Sequence, residues 1–351
     1  MKTLHEVSLK DYSTFKTDEK VRDMIFLEKD SDFVSDELRK ATIRDFYILG
    51  EGSNTLFASR LLGTAIVIRN KGIKVIDEDD KKITVKVNAG VNWNKFVEWS
   101  IEKNLIGLQN LVDIPGTVGA APIQNIVAYG VEVKEYIKEL TVIDIPFFTE
   151  RKMVNEECRF GYRDSIFKRK LKNKVIIKNV TFELEKYKGS VDEKYLSYNG
   201  VQEKLKGKEI TLNTLKDAIK ELRAEKLPPL KQYGSCGNTF EDIEVMTDEY
   251  EELEKRFPGL PKYPTNLKGI YKIPSAYIFE KLGWKGKREG DVGTWVKHPL
   301  VVVNYGNATG LQIYKFIMDM QRDFRRATKI NPNIEINIFI EHYVKLNSKG
   351  G

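Results

Sequence analysis

"IPGTVGAAPIQNIVAYG" (Ile114–Gly130) is the stretch that decides the fold. Gly116, Gly119, Ala120 and Ala121 carry almost no side-chain bulk, so backbone here can come close to another surface. That surface can be a planar ring, a pyrophosphate or a second stretch of backbone, and spacing alone leaves these open. Thr117 lies between the glycines. Gln124 and Asn125 follow with amide donors and acceptors suited to a ring edge.

Working outward, the N-terminal side holds a second glycine turn, "LGEGSN" (Leu49–Asn54), after the apolar run "FYIL". Gly50, Glu51, Gly52, Ser53 and Asn54 form a turn whose backbone N–H groups can converge on phosphate oxygens. No G-x-G-x-x-G opens a helix and no Walker A pattern is present, so the common dinucleotide and triphosphate loops are excluded. On the C-terminal side, "CRFGYRDSIFK" (Cys158–Lys168) gathers Arg159, Tyr162, Arg163 and Asp164. Arg163 suits a bidentate grip on a carboxylate, or an ion pair with Asp164.

The chain has 351 residues, enough for two or three domains, and 41% of them are hydrophobic. No apolar run reaches the roughly 18 residues of a membrane span, and no secretory h-region follows Lys2. Two cysteines, Cys158 and Cys236, imply no disulfide framework and a cytoplasmic setting. Lys and Arg total 58 against 51 Asp and Glu, a net charge of +7. The basic residues are scattered without aromatic interleaving, so neither a nucleic-acid nor a membrane partner is expected. A small polyanion such as a nucleotide diphosphate suits them better. A monomer without a metal site is expected.

Periodicity places strands in "FYIL" and in three runs from Gly63 to Gly90, with "DEDDKK" as a hairpin turn. "NWNKFVEWSIEKNL" reads as an amphipathic helix. "TLNTLKDAIKELRAEKL" reads as a helix capped by Thr211 or Asn213 and ended by Pro228-Pro229. Further helices are "DEYEELEKRF", "SAYIFEKLGW" and "TGLQIYKFIMDMQRDFRRAT". "LVVVN" and "NIEINIFIEHY" read as strands, and "KGG" as a frayed tail. "YGSCGNTFED" (Tyr233–Asp242) reads as a tight turn presenting Ser235, Cys236, Thr239, Glu241 and Asp242 as candidates for moving a proton.

"LGEGSN", "GLQNLVDIPGTVGAAPIQNIVAYGVEV" and "ECRFGYRDSIFK", then "EKLPPLK", "FPGLPKYP" and "EKLGWKGK", together resemble the UDP-N-acetylenolpyruvoylglucosamine reductase (MurB) flavoenzymes of peptidoglycan synthesis. The retained "YGVE" and "KYP" are similar to the family's first type. The resemblance covers nearly the whole chain. It implies an α+β protein with the FAD-binding fold of the vanillyl-alcohol-oxidase/MurB type in two subdomains (1–70 and 71–225). A smaller α+β substrate domain (226–330) and a C-terminal strand and tail returning to the active site (331–351) complete it. It also implies FAD, with NADPH as electron donor, and a small-molecule substrate such as a UDP-sugar. Carried over by position, Gly50–Asn54, Gly116, Thr117, Gly119, Ala120, Gln124, Asn125 and Tyr129 contact FAD. Tyr162 and Arg163 match a pair whose arginine holds the substrate carboxylate. Tyr198, Lys226, Tyr263 and Lys272 match residues that meet substrate, nicotinamide or the UDP part.

The resemblance breaks where the proton is handled. The family's donor serine, in "GS-aromatic-F-K-N-P", is Asn238 here, and the following Lys-Asn is Glu241-Asp242. The second glutamate of Glu-Pro-Glu-Val is Asn337, while Glu335 aligns with the first. An amide hydrogen-bonds an enolate but cannot act as a general acid near neutrality. Ser13 and Lys16 stand in "STFK" where the family has "NTFG", Val127 replaces a glycine, and His298 enters before the late strand. Cys236, Thr239 and His298 are the neighbouring groups that could replace the serine. The expected function is an FAD-dependent oxidoreductase with altered active-site chemistry. The alternatives are the standard reductase with a substitute donor, or a non-catalytic ligand-binding or regulatory paralogue.

Overall fold

The computed structural model describes residues 2–145 and 147–341; "KGG" and most of the tail of the 331–351 segment lie outside the described residues. The chain folds as two compact units, each threaded by separate segments. The first comprises Met1–His5, Arg22–Glu51 and Gly63–Ala224, and the second Glu6–Val21, Gly52–Leu62 and Glu225–Gly351.

The first unit is built on an antiparallel sheet. Its strands are β1 (Ile73–Glu78), β2 (Lys82–Asn88), β3 (Ile137–Asp144), β4 (Glu150–Val154) and β5 (Val175–Lys186), in the spatial order β4-β3-β5-β2-β1, with the short strand Leu105–Ile106 pairing with the end of β5. "DEDDKK" closes the β1–β2 hairpin as expected, with Asp79 accepting from the Lys81 and Lys82 amides. Val85, Val87, Val180, Phe182, Leu140 and Met153 alternate onto one face and fill the core. Against that core packs α1 (Trp93–Glu102), which buries Trp93, Phe96, Val97, Ser100 and Ile101. The Asn92 side chain caps α1 by accepting from the Lys95 amide, and Asn104 at φ 58° follows its end. The helix α2 (Leu212–Lys226) begins at Thr211, whose hydroxyl accepts from the Thr214 amide. Phe46–Leu49 pairs in parallel with Thr64–Val67 and so ends at Gly50.

The second unit has its own core, centred on Trp284, Phe240, Phe279, Phe316, Phe324 and Leu56. Its sheet includes β6 (Gly234–Asn238), β7 (Val292–Trp295) and β8 (His298–Asn304), crossed by α3 (Gly310–Thr328). Thr309 and Gln312 form a capping box at the start of α3. The last strand, β9 (Asn337–Phe339), runs parallel to Thr55–Phe57.

One expectation is corrected. The start of "YGSCGNTFED" is a strand rather than a tight turn: β6 pairs with β8 through Gly234↔Asn304, Ser235↔Val303 and Asn238↔Val301. Three steps along β6 match two along β8, which is a β-bulge. Gly237 at φ 77° supplies the bend. Gly234 has no room for a Cβ, which would lie 2.2 Å from the Phe15 carbonyl oxygen. The glycines that suggested a turn serve a kink and a close approach within a ladder.

Candidate active site

In the first unit, Glu51 fastens the two glycine turns together. Its Oε1 accepts from Asn92 Nδ2 (2.8 Å) and its Oε2 from the Gly116 amide (3.1 Å). A Cβ on Gly50 would meet Thr117 Oγ1 at 2.6 Å, and one on Gly119 would meet the Ala89 Cβ at 2.5 Å. Gly116 has φ 129°, which a side chain would resist. These glycines therefore answer to close packing within the protein, and they bring two backbone turns flush with one another. Gly119, Ala120 and Gln124 remain half-buried, and the Gly119 and Ala120 amides donate to the Ala89 and Thr117 carbonyls.

Asn125 is fully buried and spends its amide inside the fold. Nδ2 donates to Glu132 Oε2 (2.6 Å) and the Gly161 carbonyl (2.8 Å), and Oδ1 accepts from the Lys134 amide (3.0 Å). It thereby ties the Ile114–Gly130 stretch to the loop carrying Tyr162 and Arg163. Asp164 bonds Arg169 (2.5 Å). Tyr162 is 51% exposed and Arg163 is half-buried. Asn125, Tyr129, Arg159 and Arg163 all take left-handed backbone (φ 45–50°). Such conformations cost about 1–3 kcal/mol each in non-glycine residues and collect at functional sites.

Tyr129 and Tyr198 meet edge-to-face, with ring centroids 5.2 Å apart. Burial pushes the Tyr129 hydroxyl above its usual range, and the nearby Arg223 charge opposes that shift. Arg223 itself donates to the Asp113 carbonyl. Sequence reasoning passed over Arg223; its one signal is its place a helical turn before Lys226.

In the second unit the positions of the expected proton donors form one polar seam. Phe240 bridges Ile334 in antiparallel fashion, and the Glu335 amide donates to the Thr239 carbonyl (2.8 Å). Asn238 thus lies across from the 335–337 segment. The Asn337 amide and its Nδ2 both donate to the Asn54 carbonyl (2.9 and 3.4 Å), while Asn54 Nδ2 donates to the Glu335 carbonyl (3.3 Å). Glu335 is 6% exposed and lies outside β9. Asn238 and Asn337 are half-buried. Gly52 lies against the Tyr12 carbonyl oxygen, and its own carbonyl accepts from Thr14. Ser13 donates to the Thr55 carbonyl, and Lys16 Nζ to the Leu230 carbonyl.

The neighbouring acids are poor ones. Cys236 Sγ sits 3.3 Å from both Thr14 Oγ1 and the Thr55 carbonyl, and burial pushes its thiol up to about 12. Thr239 is buried, and its hydroxyl has no hydrogen-bond partner among the described residues. His298 accepts from the Leu300 amide at Nδ1, and burial, with Lys226 and Lys285 nearby, lowers its pKa to about 4. It is neutral at pH 7. Elsewhere in this unit Tyr263, 55% exposed, and Lys272 are direct cross-strand partners. Lys262, which sequence reasoning missed, stacks over the Tyr250 and Tyr271 rings at 4.1 and 4.5 Å.

Among the described residues no group of three or more His, Cys, Asp or Glu could hold a metal ion, and no helix is long and apolar enough to cross a membrane. Residues 23–146 match the FAD binding domain model, and residues 228–339 match the UDP-N-acetylenolpyruvoylglucosamine reductase C-terminal domain. The UDP-N-acetylenolpyruvoylglucosamine reductase of Flavobacterium johnsoniae is 35% identical over 334 residues, covering 94% of this chain and 98% of the relative. That of Pseudomonas putida is 36% identical over 339 residues, covering 95% and 98%.

The chain belongs to the UDP-N-acetylenolpyruvoylglucosamine reductase family. The reductase of Thermus caldophilus superposes with a TM-score of 0.65 over 97% of this chain and 98% of its own, at 20% identity, and so shares the fold. The fold is the α+β, FAD-binding one of this family, and the chain is an FAD-dependent oxidoreductase. Its residues fit the flavin. The Gly50–Asn54 turn carries neutral N–H, hydroxyl and amide groups, and its one carboxylate, Glu51, has both oxygens engaged by the protein. The Gly116, Gly119 and Ala120 amides bond within the fold and leave that turn to offer close approach and the Gln124 amide. That donor set suits a pyrophosphate and a ring edge.

Proposed function

We propose that this protein reduces a carboxylated, nucleotide-sugar-like substrate, with NADPH as electron donor, and that its proton delivery departs from the family's. The observation that carries this reading is the polar seam of the second unit, where amides occupy both proton-handling positions, Asn238 and Asn337. Neither Cys236 nor His298 restores an acid, since the Cys236 thiol is pushed up to about 12 and burial lowers His298 to about 4.

Residues 1–70 and 71–225 would hold FAD, through the turns at Gly50–Asn54 and Gly116–Ala120 with Gln124. Residues 226–330 would hold the substrate's nucleotide, and 331–351 would complete the site. FAD supplies hydride chemistry there. In the first unit Arg163 supplies a cation for the substrate carboxylate, and Tyr162, Tyr129 and Tyr198 supply an aromatic wall. In the second, Tyr263 and Lys272 suit a uracil ring and a diphosphate, and Lys226 suits an anionic group. Asn238 and Asn337 can donate N–H groups to a developing enolate oxygen, which stabilises charge without transferring a proton. The proton then comes from water or from the substrate itself. A cytoplasmic setting accords with the free cysteines.

The test is anaerobic. The purified flavoprotein is reduced with NADPH and mixed with UDP-N-acetylenolpyruvoylglucosamine, and the 450 nm absorbance is followed. Slow reoxidation whose rate does not titrate between pH 6 and 9 supports the reading. Fast reoxidation with a titrating acid limb would show a working general acid and overturn it. A colourless protein that takes up no FAD would remove the oxidoreductase assignment as well.

A further inference from the structure

Tyr129 sits at the tip of a hairpin in the first unit, in which Val127–Ala128 pairs with Val131–Glu132. Tyr129 and Gly130 have φ 49° and 81°, the left-handed pair that a type I′ turn requires. Glycine, asparagine or aspartate is the usual choice at the first of these positions. A tyrosine there carries strain that the turn itself does not call for. Tyr198 lies on a second loop, shortly after Tyr195, which is buried. The two loops are in close contact: a Cβ on Gly130 would lie 2.7 Å from Ser197 Oγ.

Asn110 joins these loops from the core. It is fully buried, on the short 3-10 turn Gln109–Leu111. Its Nδ2 donates to the Tyr129 carbonyl (2.9 Å) and to the Tyr195 carbonyl (3.0 Å). Both partners are acceptors, so only the amide nitrogen can face them. Its Oδ1 has no hydrogen-bond partner among the described residues, so the side chain serves the two carbonyls and leaves its own acceptor unmatched. The Tyr195 ring is held as well, its hydroxyl 3.1 Å from that of Tyr136. One buried amide thus ties together the roots of the two rings, Tyr129 and Tyr198, that meet edge-to-face.

We propose that Asn110 is a positioning residue for the substrate: by holding both carbonyls it sets the spacing of Tyr129 and Tyr198 and keeps their aromatic wall assembled before substrate arrives. This rests on the reading, given above, of those tyrosines as part of the substrate's wall. An amide that merely satisfied two core carbonyls would leave substrate affinity alone when replaced. A clasp between the loops acts through the rings, because a wall that must be ordered on binding lowers affinity.

The test uses the full chain saturated with FAD. Asn110→Leu, close in size, removes both donors. Asn110→Asp, of the same size, can serve at most one carbonyl and stands in should the leucine variant fail to fold. Amide hydrogen exchange across 126–131 and 194–199 should be at least tenfold faster in either variant, with β5 unchanged. Substrate binding is read from the change in the flavin spectrum as UDP-N-acetylenolpyruvoylglucosamine is added to the oxidised protein. The Asn110 variants and Tyr198→Ala should each weaken it at least tenfold. Combined, they should bind no more than threefold worse than the weaker single variant, against about a hundredfold for independent effects. Ser35→Ala, which removes the cap that accepts from the Leu38 amide, controls for general loss of stability and should leave affinity within twofold. Unchanged exchange in the two segments overturns the clasp. Unaltered affinity in the Asn110 variants, or effects that multiply in the combined one, overturns the positioning role. If Tyr198→Ala binds as the unsubstituted protein does, or substrate leaves that protein's flavin spectrum unchanged, the wall is gone and the proposal falls with it. The exchange result separates that failure from a failed clasp.

Discussion

The glycine packing of the first unit, at Gly50 and Gly119, and the polar seam of the second differ in what holds them. At the turns the residue type is dictated by space: a Cβ at Gly50 or Gly119 would collide with Thr117 or Ala89. At the seam the scaffold is held by backbone bonds, from the Glu335 amide to Thr239 and from the Asn337 amide to Asn54. Those bonds form whatever side chains stand at 238 and 337. A site fixed by sterics resists substitution, whereas one strung on main-chain hydrogen bonds can exchange its chemistry and keep its shape. The lesson is that persistence of fold says little about persistence of a proton donor.

The comparison is tested most severely by restoring the acids. Asn238→Ser with Asn337→Glu should raise the rate of flavin reoxidation by UDP-N-acetylenolpyruvoylglucosamine roughly 10²–10⁴-fold, the usual worth of general acid catalysis. Stopped-flow absorbance reads this directly, and an unchanged rate would mean that the seam's side chains do not limit the reaction.

The next effect concerns His298. Its folded pKa, about 4, lies below the unfolded value near ~6.5. Below the unfolded pKa the unfolded state binds more protons, so stability is fully present above about pH 6.5 and falls as pH drops toward 4. The loss should be on the order of 2–3 kcal/mol by pH 4. Urea titrations at several pH values should show His298→Gln with a flatter acid limb; an equally steep limb would place a charged histidine in the fold.

At the turns, Glu51→Ala leaves Asn92 Nδ2 and the Gly116 amide without their shared acceptor. A cost of about 1–2 kcal/mol is expected, with weaker flavin retention, measured by thermal melts and by flavin released on dilution. If Glu51→Ala melts and retains flavin as the unsubstituted protein does, the turns are not held as described.

The smallest effect is at Cys236. With its thiol pushed up to about 12, it should resist a thiol reagent at pH 8 in the native protein and react once denatured. Rapid native labelling at Cys236 would bring it back as an acid.

Much of this was legible beforehand. The α1 periodicity, the "DEDDKK" hairpin and the Thr211 cap follow from local pattern and were readable as such. The β6 bulge was not, because Gly234 and Gly237 signal a turn as readily as a kinked strand, and only pairing with β8 decides between them. Asn125 looked like a ring-edge donor, yet its partners Glu132, Gly161 and Lys134 come from other turns, which a linear pattern does not reveal. The pairing of Tyr263 with Lys272 likewise depends on register.

The threading of the second unit has a consequence for biosynthesis. Its core joins Phe15 and Leu56 to Phe324 and Ile336, so strand Thr55–Phe57 receives its partner β9 only when almost the whole chain has been made. The first unit's segments are complete by Ala224. On the ribosome the first unit can therefore close early, while an apolar strand from near the N-terminus waits through some 280 residues of synthesis for its mate. Closure of the second unit is therefore late and non-local, the kind of pairing that slows folding.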